Sequence, residues 1–308
     1  MKDILKGLTL CDFKCVAKAI SIIENNLADS DILIRNTFPK KNHAHRIGIT
    51  GPPGAGKSSI TNKLINYYVK DNMKVGVLLV DPSSPFTNGA VLGDRIRMGQ
   101  YYNDSNVFIR SLASRGSKGG LANNINLISN ILEYAGFDII IFETVGVGQI
   151  ELDVVELVDT VGVVLVPESG DDIQIMKAGL IEIADIYIIN KYDRKDADKL
   201  NLVLKNMLSL IENKSYIPKI VKTIATENQG IDELYLKIKK HRDYLMSSSK
   251  ILDKVNSRYL KSINDILLSE YQSYFWNSER KEYLDKMLSL EVNNRKAPYE
   301  IVQELKSI

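Results

Sequence analysis

Arg46-Ile-Gly-Ile-Thr-Gly-Pro-Pro-Gly-Ala-Gly-Lys-Ser58 is an apolar strand running directly into a G-x-x-x-x-G-K-S loop. Gly51, Gly54 and Gly56 remove the Cβ atoms that would stop successive main-chain N–H groups from turning inward on an anion. Pro52, Pro53 and Ala55 complete a phosphate cradle that extends through Ser59. Lys57 is placed to reach terminal phosphates, and the Ser58 hydroxyl to take one position on a Mg²⁺ ion. Ser59, Ile60, Leu64 and Ile65 continue as a helix whose positive N-terminal end faces the same phosphates. With a strand before it and a helix after it, the loop predicts a nucleoside triphosphate site.

Outward from this stretch, short apolar segments alternate with amphipathic ones over residues 45–245. Strands are expected at Ile47–Thr50, Val75–Val80, Ile139–Phe142, Val161–Val166 and Ile186–Ile189, with weaker ones at Val107–Ser111 and Lys219–Ile224. Such alternation predicts a mostly parallel sheet flanked by helices, an α/β P-loop NTPase domain. Residues 1–44 read as a helical N-terminal extension, with Leu5, Leu8, Phe13, Val16, Ile20 and Ile23 at near-helical spacing. Residues 246–308 read as a helical C-terminal arm. Val255, Tyr259, Ile263 and Leu267 make one stripe, Leu284, Met287 and Leu288 belong to a second helix, and Pro298 opens a third. An arm of this size cannot bury its stripes alone. It docks on its own core or, the favoured reading, on a second copy of the chain.

Composition excludes several classes. The 308 residues are 44% hydrophobic and 25% charged, with a formal charge of +2, too small to argue for a nucleic-acid surface. Cys11 and Cys15 lack companion ligands and suit packing in a reducing compartment. No apolar run approaches a membrane span and no cleavable leader pattern opens the chain, so the cytoplasm is expected.

Chemistry gathers where strands end, because the carboxyl ends of an open parallel sheet face the ligand crevice. Asp81 ends the second strand in Leu78-Leu-Val-Asp-Pro-Ser-Ser-Pro85, and Asp94 follows in Gly93-Asp-Arg-Ile-Arg-Met98. Both carboxylates are candidates for a Mg²⁺ shell, directly or through water. In Asp138-Ile-Ile-Ile-Phe-Glu-Thr-Val-Gly-Val-Gly-Gln149, an apolar strand delivers Glu143 to the crevice and Gly146 allows close approach to a γ-phosphate. Gln149 either orients water or starts a helix. Lys57, Asp81, Asp94 and Glu143 form the candidate catalytic set.

Base identity is expected from Asn190-Lys191-Tyr192-Asp193. Asp193 can accept hydrogen bonds from guanine N1–H and N2–H₂, which adenine does not offer, a discrimination of about 10⁴. Downstream, Ala225 in Thr223-Ile224-Ala225-Thr226 is placed to direct its N–H at guanine O6. Arg110, Arg115 and Lys118 either supply charge to phosphates or face solvent. Gly170, Asp171 and Asp172 suit a loop that caps the following helix, on whose face Lys177 then lies. His43 and His45, alternating beside the first strand, read as packing or surface residues.

With these segments in order, from about Arg46 to the end of the guanine-nucleotide domain, the chain resembles the methylmalonyl-CoA mutase-associated GTPases, the MeaB/ArgK type of P-loop GTPase. The most selective signatures are Glu143-Thr-Val-Gly-Val-Gly-Gln149 and Asp81-Pro-Ser-Ser-Pro85. The resemblance implies a homodimeric GTPase that binds GTP and GDP, with Ser58, Asp94 and Glu143 organising Mg²⁺ and Asp81 nearby. It implies that Gly170 to Lys177 act as an extra switch. The implied partner is an adenosylcobalamin-dependent acyl-CoA mutase, whose cofactor loading the GTPase gates and whose activity it protects. Two positions depart from the family pattern: Ser117-Lys118 replaces a large apolar residue before a Gly-Gly pair, and Ile224 stands where Ser is usual.

The expected mechanism is in-line attack of water on the γ-phosphate, with charge stabilised by Lys57, Mg²⁺ and loop N–H groups. No side chain is an assured base, so unaided hydrolysis is expected at on the order of 10⁻⁴ to 10⁻² s⁻¹. The rival from another class is an ATP-dependent kinase or ATPase of the ArgK transport type, against which Asp193 argues. A metallochaperone would need a Cys/His cluster that the spacing of these residues does not provide.

Overall fold

The structure is a computed structural model of the chain. It describes residues 1–25, 27, 29–38, 44–82, 98–101, 103–114, 120–144, 155–167, 183–210 and 215–308, without the side chains of 81–82, 113–114 and 120–123. Seven strands form one sheet: β1 His45–Thr50, β2 Val75–Pro82, β3 Val107–Ser114, β4 Ile139–Thr144, β5 Thr160–Leu165, β6 Ile186–Asn190 and β7 Lys219–Thr223. Their order is β3-β2-β4-β1-β5-β6-β7, and every neighbouring pair is parallel. The parallel sheet expected from the sequence is therefore present, with all its strands.

Burial explains why the central strands read as unbroken apolar runs. β1, β4, β5 and β6 are buried at every position, since helices cover both faces. Along β4, Ile139 and Ile141 enter one core while Ile140 and Phe142 enter the other, the period-two alternation of a strand. At the edge, β7 exposes Lys219 and Lys222, which discourages further strand pairing.

The ten helices among the described residues are α1 Lys2–Thr9, α2 Phe13–Glu24, α3 Ser30–Thr37, α4 Lys57–Lys70, α5 Gly120–Tyr134, α6 Ala197–Ser209, α7 Ile231–Ser247, α8 Lys250–Phe275, α9 Ser278–Leu288 and α10 Pro298–Ser307. Ile60, Leu64 and Tyr68 of α4 join Leu234 and Ile238 of α7 on one sheet face. Val16 and Ile20 of α2, Ile128 and Leu132 of α5 and Leu204 of α6 cover the other. Asp12 caps α2 by accepting the Lys14 N–H at 2.8 Å. Phe13 then packs edge-on to Phe108, with ring centroids 5.5 Å apart. From β3, Arg110 donates to Ser21 at 3.1 Å and to Glu24. Arg110 thus serves neither phosphates nor solvent; it ties the N-terminal helices to the sheet.

Opposite the phosphate loop, the amino ends of the strands hold a buried polar layer. Arg46 donates to Glu133 at 2.7 Å, Asn126 at 2.6 Å and Asn130 at 2.9 Å. Asp159 accepts from the Arg46 main chain at 2.9 Å and from Arg258 at 2.6 Å. The Thr160 hydroxyl lies 2.7 Å from His45 Nε2 and 2.8 Å from His241 Nδ1. Burial pushes the His45 imidazole down to about 3, and burial also lowers His241.

By contacts the chain forms two compact units, Met1–Arg258 and Tyr259–Ile308. In the second, Arg280 donates to the carbonyls of Phe275 and Leu305, both at 2.8 Å, and lies over the Phe275 ring. The apolar side chains of Tyr259, Ile263 and Leu267 are exposed there. No helix among the described residues is long and apolar enough to cross a membrane.

Candidate nucleotide site

Strand order places the site. β2, β3 and β4 lie on one side of β1 and β5, β6 and β7 on the other, so the crevice falls at the carboxyl end of β1. There the chain leaves β1 at Gly51, whose φ is 139°. A Cβ on it would stand 2.2 Å from the Val164 carbonyl oxygen of β5. At Gly56, φ is 90° and a Cβ would stand 2.3 Å from the Asn190 amide nitrogen. Only glycine fits either position.

Lys57, 6% exposed, opens α4 and curls back over the loop. Its Nζ donates to the carbonyls of Gly51 at 2.7 Å and Pro52 at 3.0 Å. Ser58 Oγ donates to Glu143 Oε1 at 2.5 Å. Glu143 sits beside Ile49 of β1 and Leu79 of β2 in the sheet register. One residue on, Thr144 Oγ1 donates to Thr50 Oγ1 at 3.0 Å. These groups surround a cleft of about 710 Å³, lined by Pro53, Gly54, Gly56, Lys57, Ser58, Ser59, Asn62, Leu79, Glu143 and Thr144.

At the end of β6, Asn190 is a junction. Its amide donates to Ala55 O at 2.8 Å, while its Oδ1 accepts from Thr223 Oγ1 at 3.1 Å and the Ala225 N–H at 3.2 Å. The Ala225 N–H that the sequence reading aims at a base oxygen is thus given to Asn190 in this structure. Lys191 adopts a left-handed conformation, φ 56°. The turn is held by Tyr192, whose N–H reaches Thr223 O at 3.1 Å and whose hydroxyl reaches Asp198 at 2.5 Å. Lys222 Nζ lies 4.3 Å from the Tyr192 ring centroid. Asp193 and Thr226 are exposed. Ile224 exchanges main-chain hydrogen bonds with Gln229, closing the short loop that carries Ala225.

The structure thus gathers Pro53, Gly54, Gly56, Lys57, Ser58, Ser59 and Glu143 at one cleft, while Gly51, Pro52 and Ala55 belong to the same loop without lining it, and Asn190 links Ala55 to Ala225. The main chain of Asp81 lies at the same edge of the sheet, one residue past the Val80–Thr144 pair. The Asp81 side chain lies outside the described residues, as do Asp94, Gly146, Gln149, Gly170, Asp171, Asp172, Lys177, His43, Arg115 and Lys118. Thr50, Asn62, Leu79 and Thr144 escaped the sequence reading. For Thr50 and Thr144 a signal existed, since both are hydroxyls at the carboxyl ends of otherwise apolar strands.

Comparison with known proteins agrees with this geometry. The profile of the methylmalonyl Co-A mutase-associated GTPase MeaB family matches residues 16–279. A Pyrococcus horikoshii protein whose name places it among GTPases is 45% identical over 269 residues, covering 86% of this chain and 85% of its own. GTPase ArgK of Escherichia coli is 34% identical over 245 residues, covering 77% of this chain and 74% of its own. The crystal structure of a LAO/AO transport system kinase shares the fold, with a TM-score of 0.72 at 23% identity over 99% of this chain and 96% of that one. Cleft and relatives agree: the chain belongs to the MeaB family of methylmalonyl Co-A mutase-associated GTPases, and it binds guanine nucleotide and hydrolyses GTP.

Proposed function

We propose that GTP binding and hydrolysis drive a chaperone cycle, in which the protein gates cofactor loading into an adenosylcobalamin-dependent acyl-CoA mutase of the methylmalonyl-CoA mutase type and protects it. One observation carries the reading. Glu143, at the carboxyl end of β4, accepts the Ser58 hydroxyl, so the strand leading into residues 145–149 is tied to the first turn of the phosphate-loop helix. A change at the terminal phosphate then alters the surface offered to a partner. The family description names the mutase.

The residues present fit Mg²⁺, because Ser58 and Glu143 place two hard oxygen donors together beside Lys57. In this reading Ser58 and Glu143, joined by Asp94 and with Asp81 nearby, hold the ion. Held there, Mg²⁺ would supply positive charge against the phosphates. Lys57 and the main-chain N–H groups of Gly54 to Ser59 orient the triphosphate. Asp193 selects guanine from the exposed turn after β6.

The same reading makes Gly170, Asp171, Asp172 and Lys177 a switch that answers to the mutase, and residues 246–308 a dimerisation arm. The exposed stripe of Tyr259, Ile263 and Leu267 supports a homodimer. Two free cysteines suit a reducing compartment, which supports the cytoplasm. The test is GTP turnover by the purified protein with and without such a mutase. Faster turnover in its presence, with GTP-dependent delivery of adenosylcobalamin, is expected. A mutase that changes neither overturns the proposal, and equal displacement of GTP by ATP favours a kinase instead.

A further inference from the structure

We propose that Thr144 is a positioning residue for GTP hydrolysis, acting through the Thr50 hydroxyl to hold the end of β4 against the root of the phosphate loop. Thr50 is the last residue before Gly51, and Thr144 directly follows Glu143. The main-chain register between β1 and β4 runs from His45–Ile139 to Ile49–Glu143. The threonine hydroxyls continue the tie one residue further, at 3.0 Å.

Adjacent residues of a strand point to opposite faces. Glu143 therefore bonds Ser58, which closes the loop, while Thr144 bonds Thr50, which precedes it. The end of β4 grips both flanks of the phosphate loop. Both threonines are 2% exposed, so their hydroxyls are kept inside a core where valine would fill the same volume. On its other side Thr50 is in register with Val163, which offers no hydroxyl. The polar tie belongs to the one strand pair that carries both the phosphate loop and Glu143.

Thr144 lines the cleft, but its hydroxyl is given to Thr50, so in this proposal its loss separates chemistry from binding. Small displacements of reacting groups cost rate far more than affinity. The experiment uses the full-length protein and compares T144V, T144S, T50V and the double T50V/T144V. Three quantities are read: single-turnover GTP hydrolysis, GDP affinity and melting temperature.

T144V and T50V are each expected to slow hydrolysis roughly five- to tenfold, the value of one hydrogen bond, with GDP affinity held within about twofold. T144S retains the hydroxyl and is expected to hydrolyse GTP at close to the parent rate. The double variant is expected to be no slower than the slower single one, because the two side chains act as a single bond. Should T144V fail to fold, T50V and the double variant report on the same bond from its other side. The proposal is overturned by unchanged hydrolysis in T144V, by losses that multiply in the double variant, by T144S as slow as T144V, or by a fall in melting temperature alone.

Discussion

Asn190 and Ala55 are joined by a hydrogen bond of 2.8 Å from the asparagine amide to the alanine carbonyl, which fastens the end of β6 to the middle of the phosphate loop. Since Asn190 Oδ1 also accepts from Thr223 and Ala225, one side chain sets the distance between three loops. Asn190→Ala leaves three buried groups without this partner, the Ala55 carbonyl, the Thr223 hydroxyl and the Ala225 N–H, each costing about 1–3 kcal/mol. Titration calorimetry is expected to record at least a tenfold loss of GDP affinity. Retention of parent affinity would show that the loops hold their spacing without it.

Gly56→Ala tests the same junction from the other side. The added methyl meets the Asn190 amide at 2.3 Å, in a left-handed backbone that alanine adopts poorly. Loss of measurable nucleotide binding with a folded circular dichroism spectrum is the expected result. An alanine variant with unimpaired binding contradicts the close approach.

The buried histidines set a pH dependence. His45 is neutral in the fold, lowered from 6.5 to about 3 by burial, with Arg242, His241 and Lys254 adding to the shift and Asp159 opposing it. The unfolded chain takes up this proton near 6.5 and the folded chain only near 3, so the contribution is complete above 6.5 and is lost as pH falls between them. The full loss is on the order of 5 kcal/mol. Urea unfolding at pH 7 and pH 5 is expected to show lower stability at pH 5, and His45→Gln to reduce that difference. An equal pH 5 loss in the variant would assign the effect elsewhere.

Tyr68 has a buried hydroxyl with no hydrogen-bond partner among the described residues. Its ring packs edge-on to Tyr235 at 5.0 Å and needs no hydroxyl to do so. Tyr68→Phe removes an unsatisfied polar atom and is expected to stabilise the protein by about 1 kcal/mol. A rise in melting temperature checks this; a fall would reveal a partner for the hydroxyl.

Legibility followed the range of each interaction. Ile139 to Phe142 and Ile186 to Ile189 announced strands because a strand covered on both faces needs apolar residues throughout. β3 was harder. The expected strand ends at Ser111 whereas the observed one reaches Ser114, because Arg110 and Ser111 interrupt the apolar run. Arg110 is there for Glu24, a residue 86 positions away that no local pattern links to it.

From its residues alone the chain declared a parallel α/β frame and a phosphate loop. Glycine dihedrals, a strand and a helix start are local properties, readable within a dozen residues. Tertiary structure decided which distant groups meet: Thr50 with Thr144 across 94 positions, Asn190 with Ala55 across 135, and His45 with Thr160 across 115. These partners depend on strand order, and strand order is settled by how all the helices bury both faces of the sheet together.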